Sequence, residues 1–141
     1  MNCKLINGKQ YVLCTWRQKF VRLTPEEWVR QHFLHYLVDT LLFPASRIAV
    51  EYPITVGGLQ KRCDAVVFND ALQAVCILEF KAATVAINQK VFDQVAVYNR
   101  PLNVPFFILS NGKTTIACKF LSDKYELLTQ LPTYEQLCQN N

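Results

Sequence analysis

Apolar side chains recur at helical spacing early in the chain: Val29, Phe33, Leu37 and Leu41 form one stripe, which must pack against a flat apolar surface. Thr24-Pro25-Glu26-Glu27 supplies the start signal, with Thr24 as cap, Pro25 in the first turn, and Glu27 three residues after the cap for a reciprocal capping box. The predicted helix runs to Leu42, just before Pro44. From Ile48 the period shortens to that of strands, over residues 48–56, 59–68 and 72–82. Gly57-Gly58 and Asn69-Asp70 are the turns between them, which makes an antiparallel meander. A second helix is predicted over residues 89–99, stopped by Pro101. Strands at 105–110 and 114–120 then flank Asn111-Gly112, a favoured hairpin turn. The strands before and after the second helix should be parallel, joined by a right-handed crossover. Before Leu23 only a short strand at residues 11–13 is suggested, followed by a basic stretch from Arg17 to Arg22, and after Leu121 only a short helix near 134–138.

The order is helix, three strands, helix, two strands. It predicts an α/β fold with a mixed central sheet flanked by helices, in one domain over residues 1–141 with its core at about 22–120. With 51% hydrophobic residues the chain can build a real core. The net charge of +4 permits an anionic partner without requiring one. The six cysteines show no CxxC or metal-ligand spacing and are expected to be reduced thiols. No stretch approaches the ~18 apolar residues of a membrane span, and no leader pattern opens the chain, so a cytoplasmic protein is expected.

The last strand of the meander carries the chemistry. Its apolar run, Ala74-Val75-Cys76-Ile77-Leu78, continues into Glu79-Phe80-Lys81, and strand alternation puts Glu79 and Lys81 on one face. A charge in such a strand needs a partner or a purpose, because burying it alone costs several kcal/mol. Asp64, on the adjacent strand, can converge with them. Two carboxylates plus a main-chain carbonyl, for which Phe80 is placed, suit Mg²⁺, with Mn²⁺ as a substitute, once a phosphate completes the shell. Lys81 would orient or deprotonate the attacking water and offset charge in the transition state. Gln94 and Tyr98, an i,i+4 pair, share a face of the second helix that can lean over this site.

These residues resemble the PD-(D/E)xK nuclease superfamily, and specifically the N-terminal nuclease domain of type I restriction enzyme R subunits. The resemblance covers roughly residues 22–112 and rests on Leu-Thr-Pro-Glu-Glu-Trp-Val-Arg-Gln at 23–31, Lys-Arg-Cys-Asp at 61–64, Leu-Glu-Phe-Lys-Ala at 78–82, Phe-Asp-Gln-Val-Ala-Val-Tyr-Asn at 92–99 and Ser-Asn-Gly at 110–112. An acid-x-Lys alone is weak evidence; Asp64, then Glu79-x-Lys81 fifteen residues on, then Gln94-x-x-x-Tyr98 is much stronger. The resemblance implies a restriction-endonuclease-like fold and a Mg²⁺-dependent endonuclease acting on DNA. Asp64 and Glu79 would be metal ligands, Lys81 the catalytic lysine, and Gln94 and Tyr98 the Q-x-x-x-Y motif. Cys63 stands where the superfamily's name has proline, a tolerable variation. The P-loop pattern G-x-x-x-x-G-K-S/T is absent, so the expectation is a stand-alone relative, or a part working with a separate motor or specificity protein. A dimer would suit paired cuts. The same fold could also serve RNA or branched DNA, or bind nucleic acid or a partner without cutting.

Simpler readings stand beside these. Glu79 and Lys81 can be an ion pair at a sheet end, and Asp64 can pair with Arg62 across one strand face. The capping box accounts for Glu27, which is otherwise a further metal-side carboxylate. His32 and His35 have i,i+3 spacing but no third ligand nearby. Lys61, Arg62 and Arg22, with Arg17 and Lys19, can line a DNA path or simply be solvated.

Overall fold

The structure is a computed structural model and describes residues 1–139. It opens with a small antiparallel sheet, β1 (Cys3–Ile6), β2 (Lys9–Cys14) and β3 (Lys19–Arg22). The sequence suggested only one strand here, although Asn7-Gly8 was a usable signal. Both residues have positive φ, 50° and 78°, as a two-residue hairpin turn requires.

Helix α1 (Pro25–Asp39) is capped by Thr24, whose Oγ1 accepts the Glu27 N–H at 3.1 Å. It ends three residues earlier than predicted. The Phe43 N–H reaches back to the Leu37 carbonyl, at 2.9 Å, over Leu42 in the left-handed region at φ 60°. That is the geometry of a glycine-type helix stop made by a leucine, so no glycine announced it.

The main sheet then follows with β4 (Ile48–Val56), β5 (Leu59–Phe68), β6 (Ala74–Phe80), α2 (Gln89–Asn99), β7 (Phe106–Ser110), β8 (Thr115–Phe120), β9 (Tyr125–Leu127) and α3 (Tyr134–Gln139). Its six strands lie in sequence order, and β6–β7 is its parallel pair, joined by α2 as predicted. The β4–β5 turn is the expected Gly57-Gly58, with φ of 55° and 83°. The β5–β6 connection is wider than the Asn69-Asp70 turn expected: β6 begins at Ala74, and the side chains and backbone of Asn69 and Gln73 close the loop on each other. Strand β9 was not anticipated, being short and mostly exposed.

Alternation along β6 and β7 builds two cores. Cys76, Leu78, Phe80, Phe106 and Ile108 face one way, against Phe33, Leu34 and Leu37 of α1 and Leu137 of α3. Ile77, Phe107 and Leu109 face the other, against Phe92 and Ala96 of α2. Each fully buried side chain of this size contributes ~1.5–3 kcal/mol, enough between them to fix the register of β6 despite the charge it carries. Among the described residues the six cysteines form no disulfide. Among the described residues no helix is long and apolar enough to cross a membrane.

Candidate active site

Strands β5 and β6 pair, with one register shift between Val67 and Phe68, as far as Ala65 and Leu78, and then part. Beyond that point two carboxylates take over the bonds that the ladder would have made. The Asp64 N–H donates to Glu79 Oε2 at 3.3 Å, and the Phe80 N–H donates to Asp64 Oδ2 at 2.8 Å. Each acid thus satisfies the other strand's backbone, which holds the pair side by side at a fork. Buried N–H groups need such partners, so the fork fixes the carboxylates as firmly as they fix it.

The backbone explains why the strands part there. Opposite Asp64, Glu51 of β4 adopts φ 54°, left-handed backbone that a non-glycine residue rarely takes inside a strand. Across this point β5 turns over: Cys63 and Val66 both pack in the α2-facing core although three positions apart, where simple alternation would put them on opposite faces. The turn brings Lys61 onto the α2 side, a placement that alternation counted from Asp64 would have denied it.

Glu79 is buried, whereas Lys81 is exposed just past the end of β6, its N–H bonded to the Ser110 carbonyl at 3.0 Å. Of the two charges, then, only Glu79 is buried and in need of a partner. Helix α2 begins where the Asn88 side chain accepts the Val91 N–H at 2.9 Å, and it presents Gln94 and Tyr98 on one exposed face. Asp64, Glu79, Phe80, Lys81, Gln94 and Tyr98 all line one cavity of about 490 Å³, shared with Lys61, Arg62 and Asn99.

Lys61, assigned from the sequence to a DNA path, is turned inward. Its ammonium donates to Glu79 Oε1 and to Asn99 Oδ1, the latter at 2.8 Å, and lies 5.5 Å from the centroid of the Tyr98 ring. Burial lowers its pKa below the usual lysine range. Asn99 is fully buried and was not singled out from the sequence; its place directly after Tyr98 was the available signal.

On the α1 side of Asp64 lies a second cavity, of about 290 Å³, lined by Glu27, Arg30, Glu51 and Arg62. Here the capping box is only half made. The Glu27 N–H reaches Thr24, but its carboxylate turns away to Arg30, to Arg17 at 2.7 Å and to the Gln31 amide at 3.0 Å. Burial alone would raise the Glu27 pKa; the hydrogen bonds from Arg30, Arg17 and Gln31 override it and hold the carboxyl at about 2. Arg30 also donates to the Asp64 carbonyl at 3.3 Å. Glu51 gathers Arg17 at 2.7 Å, Arg30 at 3.3 Å and Arg62 at 3.6 Å. Arg62 thus pairs with Glu51 in place of the expected Asp64, and its largely exposed guanidinium stands beside both cavities. Arg22 lies at the end of β3 over the Tyr11 ring and lines neither cavity.

His32 and His35 meet Trp28 and Trp16 edge to face, with ring centroids 4.1 and 5.4 Å apart, and among the described residues no group of three or more His, Cys, Asp or Glu comes together. The residues that could hold a hard cation are therefore Asp64 and Glu79. All their donors are oxygens, and Asp64 Oδ1 has no partner among the described residues.

Among solved structures the chain is similar to a fragment assigned as the HsdR subunit of a type I restriction enzyme from Vibrio vulnificus YJ016, at 22% identity and TM-score 0.49, covering 65% of this chain and 20% of that one. It is also similar to a protein assigned as a nuclease of the DUF820 group from Anabaena variabilis ATCC 29413, at 12% identity and TM-score 0.49, covering 95% and 82%. The chain spans about a fifth of the length of the HsdR chain it matches. No curated protein matches it. The sequence profile described as Type I restriction enzyme R protein N terminus (HSDR_N) matches residues 25–132, from the first turn of α1 to beyond β9. This chain belongs to the family of type I restriction enzyme R protein N termini.

Proposed function

We propose that the protein is a metal-dependent endonuclease that hydrolyses DNA phosphodiester bonds at the fork between β5 and β6. The observation that carries this reading is the convergence of Asp64, Glu79, Phe80, Lys81, Gln94 and Tyr98, from three elements, on one cavity. An all-oxygen pair of carboxylates, one oxygen of which has no protein partner, fits Mg²⁺ or Mn²⁺, with the Phe80 carbonyl as a third donor. A bound divalent cation would supply Lewis acidity to a phosphate oxygen and acidify a water.

The chain's own groups do the remainder. Asp64 and Glu79 are oriented before any ligand arrives, because each spends one oxygen on a backbone N–H. Lys81, free at the mouth, orients the attacking water and offsets charge growing on the phosphoryl oxygens. Gln94 holds a water or phosphate oxygen, and Tyr98 supports the backbone of the nucleic acid. Arg62 adds a phosphate contact beside the cavity.

Asp64→Ala, Glu79→Ala and Lys81→Ala should each lower Mg²⁺-dependent cleavage of duplex DNA by at least about a hundredfold while the circular-dichroism spectrum is unchanged. Calorimetry of Mg²⁺ binding in the presence of a short non-cleavable duplex should show binding that disappears in Asp64→Ala. Equal residual cleavage in all three variants would sink the reading. One observation favours a second reading, a module that binds DNA without cutting: Glu79 already has a cation, Lys61. Salt-dependent DNA binding that ignores Mg²⁺ would support that reading.

A further inference from the structure

The Lys61–Glu79 contact sets a problem for any ion that binds at the fork. Glu79 is 8% exposed, and a carboxylate so buried costs several kcal/mol unless a cation accompanies it. Lys61 is that cation. Its ammonium occupies Oε1, the one Glu79 oxygen that is not given to the Asp64 N–H. A divalent ion on the same oxygen would meet the ammonium at contact distance, where like charges in a partly desolvated site repel by several kcal/mol. Both cannot occupy it.

We propose that Lys61 is an exchangeable counter-ion: it neutralises Glu79 in the metal-free protein and withdraws when a divalent cation binds. This inference rests on the metal-dependent reading above. The structure supplies the seat to which the ammonium withdraws. Asn99 is fully buried, and its Nδ2 donates to the Val95 carbonyl at 2.8 Å, which fixes the amide so that Oδ1 points at Lys61. The Tyr98 ring lies at 5.5 Å on the exposed side and can receive a cation on its face. Released from Glu79, Lys61 keeps the Asn99 bond and moves toward Tyr98, where the phosphate backbone would pass. The two lysines then divide the work. Lys81 is free at the mouth from the outset, and Lys61 becomes available to DNA only when the metal has taken its place.

The test is calorimetric titration of the whole protein with Mn²⁺ alone, so that contacts of Lys61 with DNA do not enter, together with thermal melting in chelator and in Mn²⁺. Lys61→Met should bind Mn²⁺ roughly tenfold more tightly than the wild type. It should melt lower in chelator, because Glu79 has lost its partner, and gain more from Mn²⁺. Lys61→Arg keeps the charge and so protects the fold; a firmer, two-pronged hold on Glu79 should weaken Mn²⁺ binding severalfold. Wild-type binding that is lost in Asp64→Ala but unchanged in both Lys61 variants would overturn the exchange and leave the metal-dependent reading intact. Absence of Mn²⁺ binding in the wild type and in both variants would overturn the two together.

Discussion

At the scale of single residues, Glu27 shows how far a side chain's neighbours can outweigh its sequence signal. The capping pattern identified the position of the helix start, but the carboxylate is claimed by Arg30 and Arg17, and Arg17 is distant in sequence. No local pattern encodes such a partner. Its pKa of about 2, against an ordinary 4.5, makes a pH prediction. The folded form binds this proton more weakly than the unfolded form, so the stabilisation is complete above about pH 4.5 and is lost as pH falls toward 2. The loss amounts to about 3 kcal/mol. Glu27→Gln should flatten the acid side of the stability curve in that window and lower stability at neutral pH, where Arg17 and Arg30 are left with Glu51 as their remaining carboxylate; urea melts at stepped pH would measure both. By contrast Asp64, Glu79, Lys81, Gln94 and Tyr98 were legible together, because motif spacing on adjacent elements survives folding. Lys61 and Asn99 were not, since their role depends on β5 turning over at Asp64.

At the scale of elements, the meander, the crossover helix and the strand after it followed from period, turn dipeptides and proline stops. Their ends were less legible where side chains substitute for backbone partners, as at the fork. There the bond from the Phe80 N–H to Asp64 Oδ2 is testable without any substrate. A hydrogen bond to a charged acceptor is worth ~1.5–3 kcal/mol, so Asp64→Ala should speed amide exchange at Phe80 by about tenfold or more. Asp64→Asn keeps an oxygen acceptor but not its charge, and should give a smaller increase than Asp64→Ala while still removing a metal charge. Similar exchange in the two variants would mean that the fork is held by the strands and not by the acid.

At the scale of the whole molecule, the main sheet with α1 and α3 on one face and α2 on the other is the mixed central sheet flanked by helices that the sequence implied. The small N-terminal sheet was not implied. Its first strand is exposed at every position, so burial left no periodic trace, and it precedes the span matched by the family profile. Arg17 ties it to the main body, reaching Glu27 and Glu51 at 2.7 Å each, and the Trp16 indole N–H donates to the Ala45 carbonyl at 3.1 Å. Arg17→Met should cost about 1–3 kcal/mol and make residues 1–22 the first site of limited proteolysis. Melting that is unchanged, with cleavage elsewhere first, would show that the small sheet is held by other contacts.

The left-handed backbone at Glu51 also bears on how copies of this protein meet. Strand β4 is nine residues long and forms one edge of the main sheet, and long edges invite another chain to add itself as the next strand. Glu51 breaks the regular run of outward-facing N–H and C=O groups, and Pro53, two residues on, has no N–H to give. The opposite edge, β9, is only three residues long. The residue that shapes the fork therefore also denies other chains a template along this edge, so the main sheet of one copy is a poor seat for a strand of another.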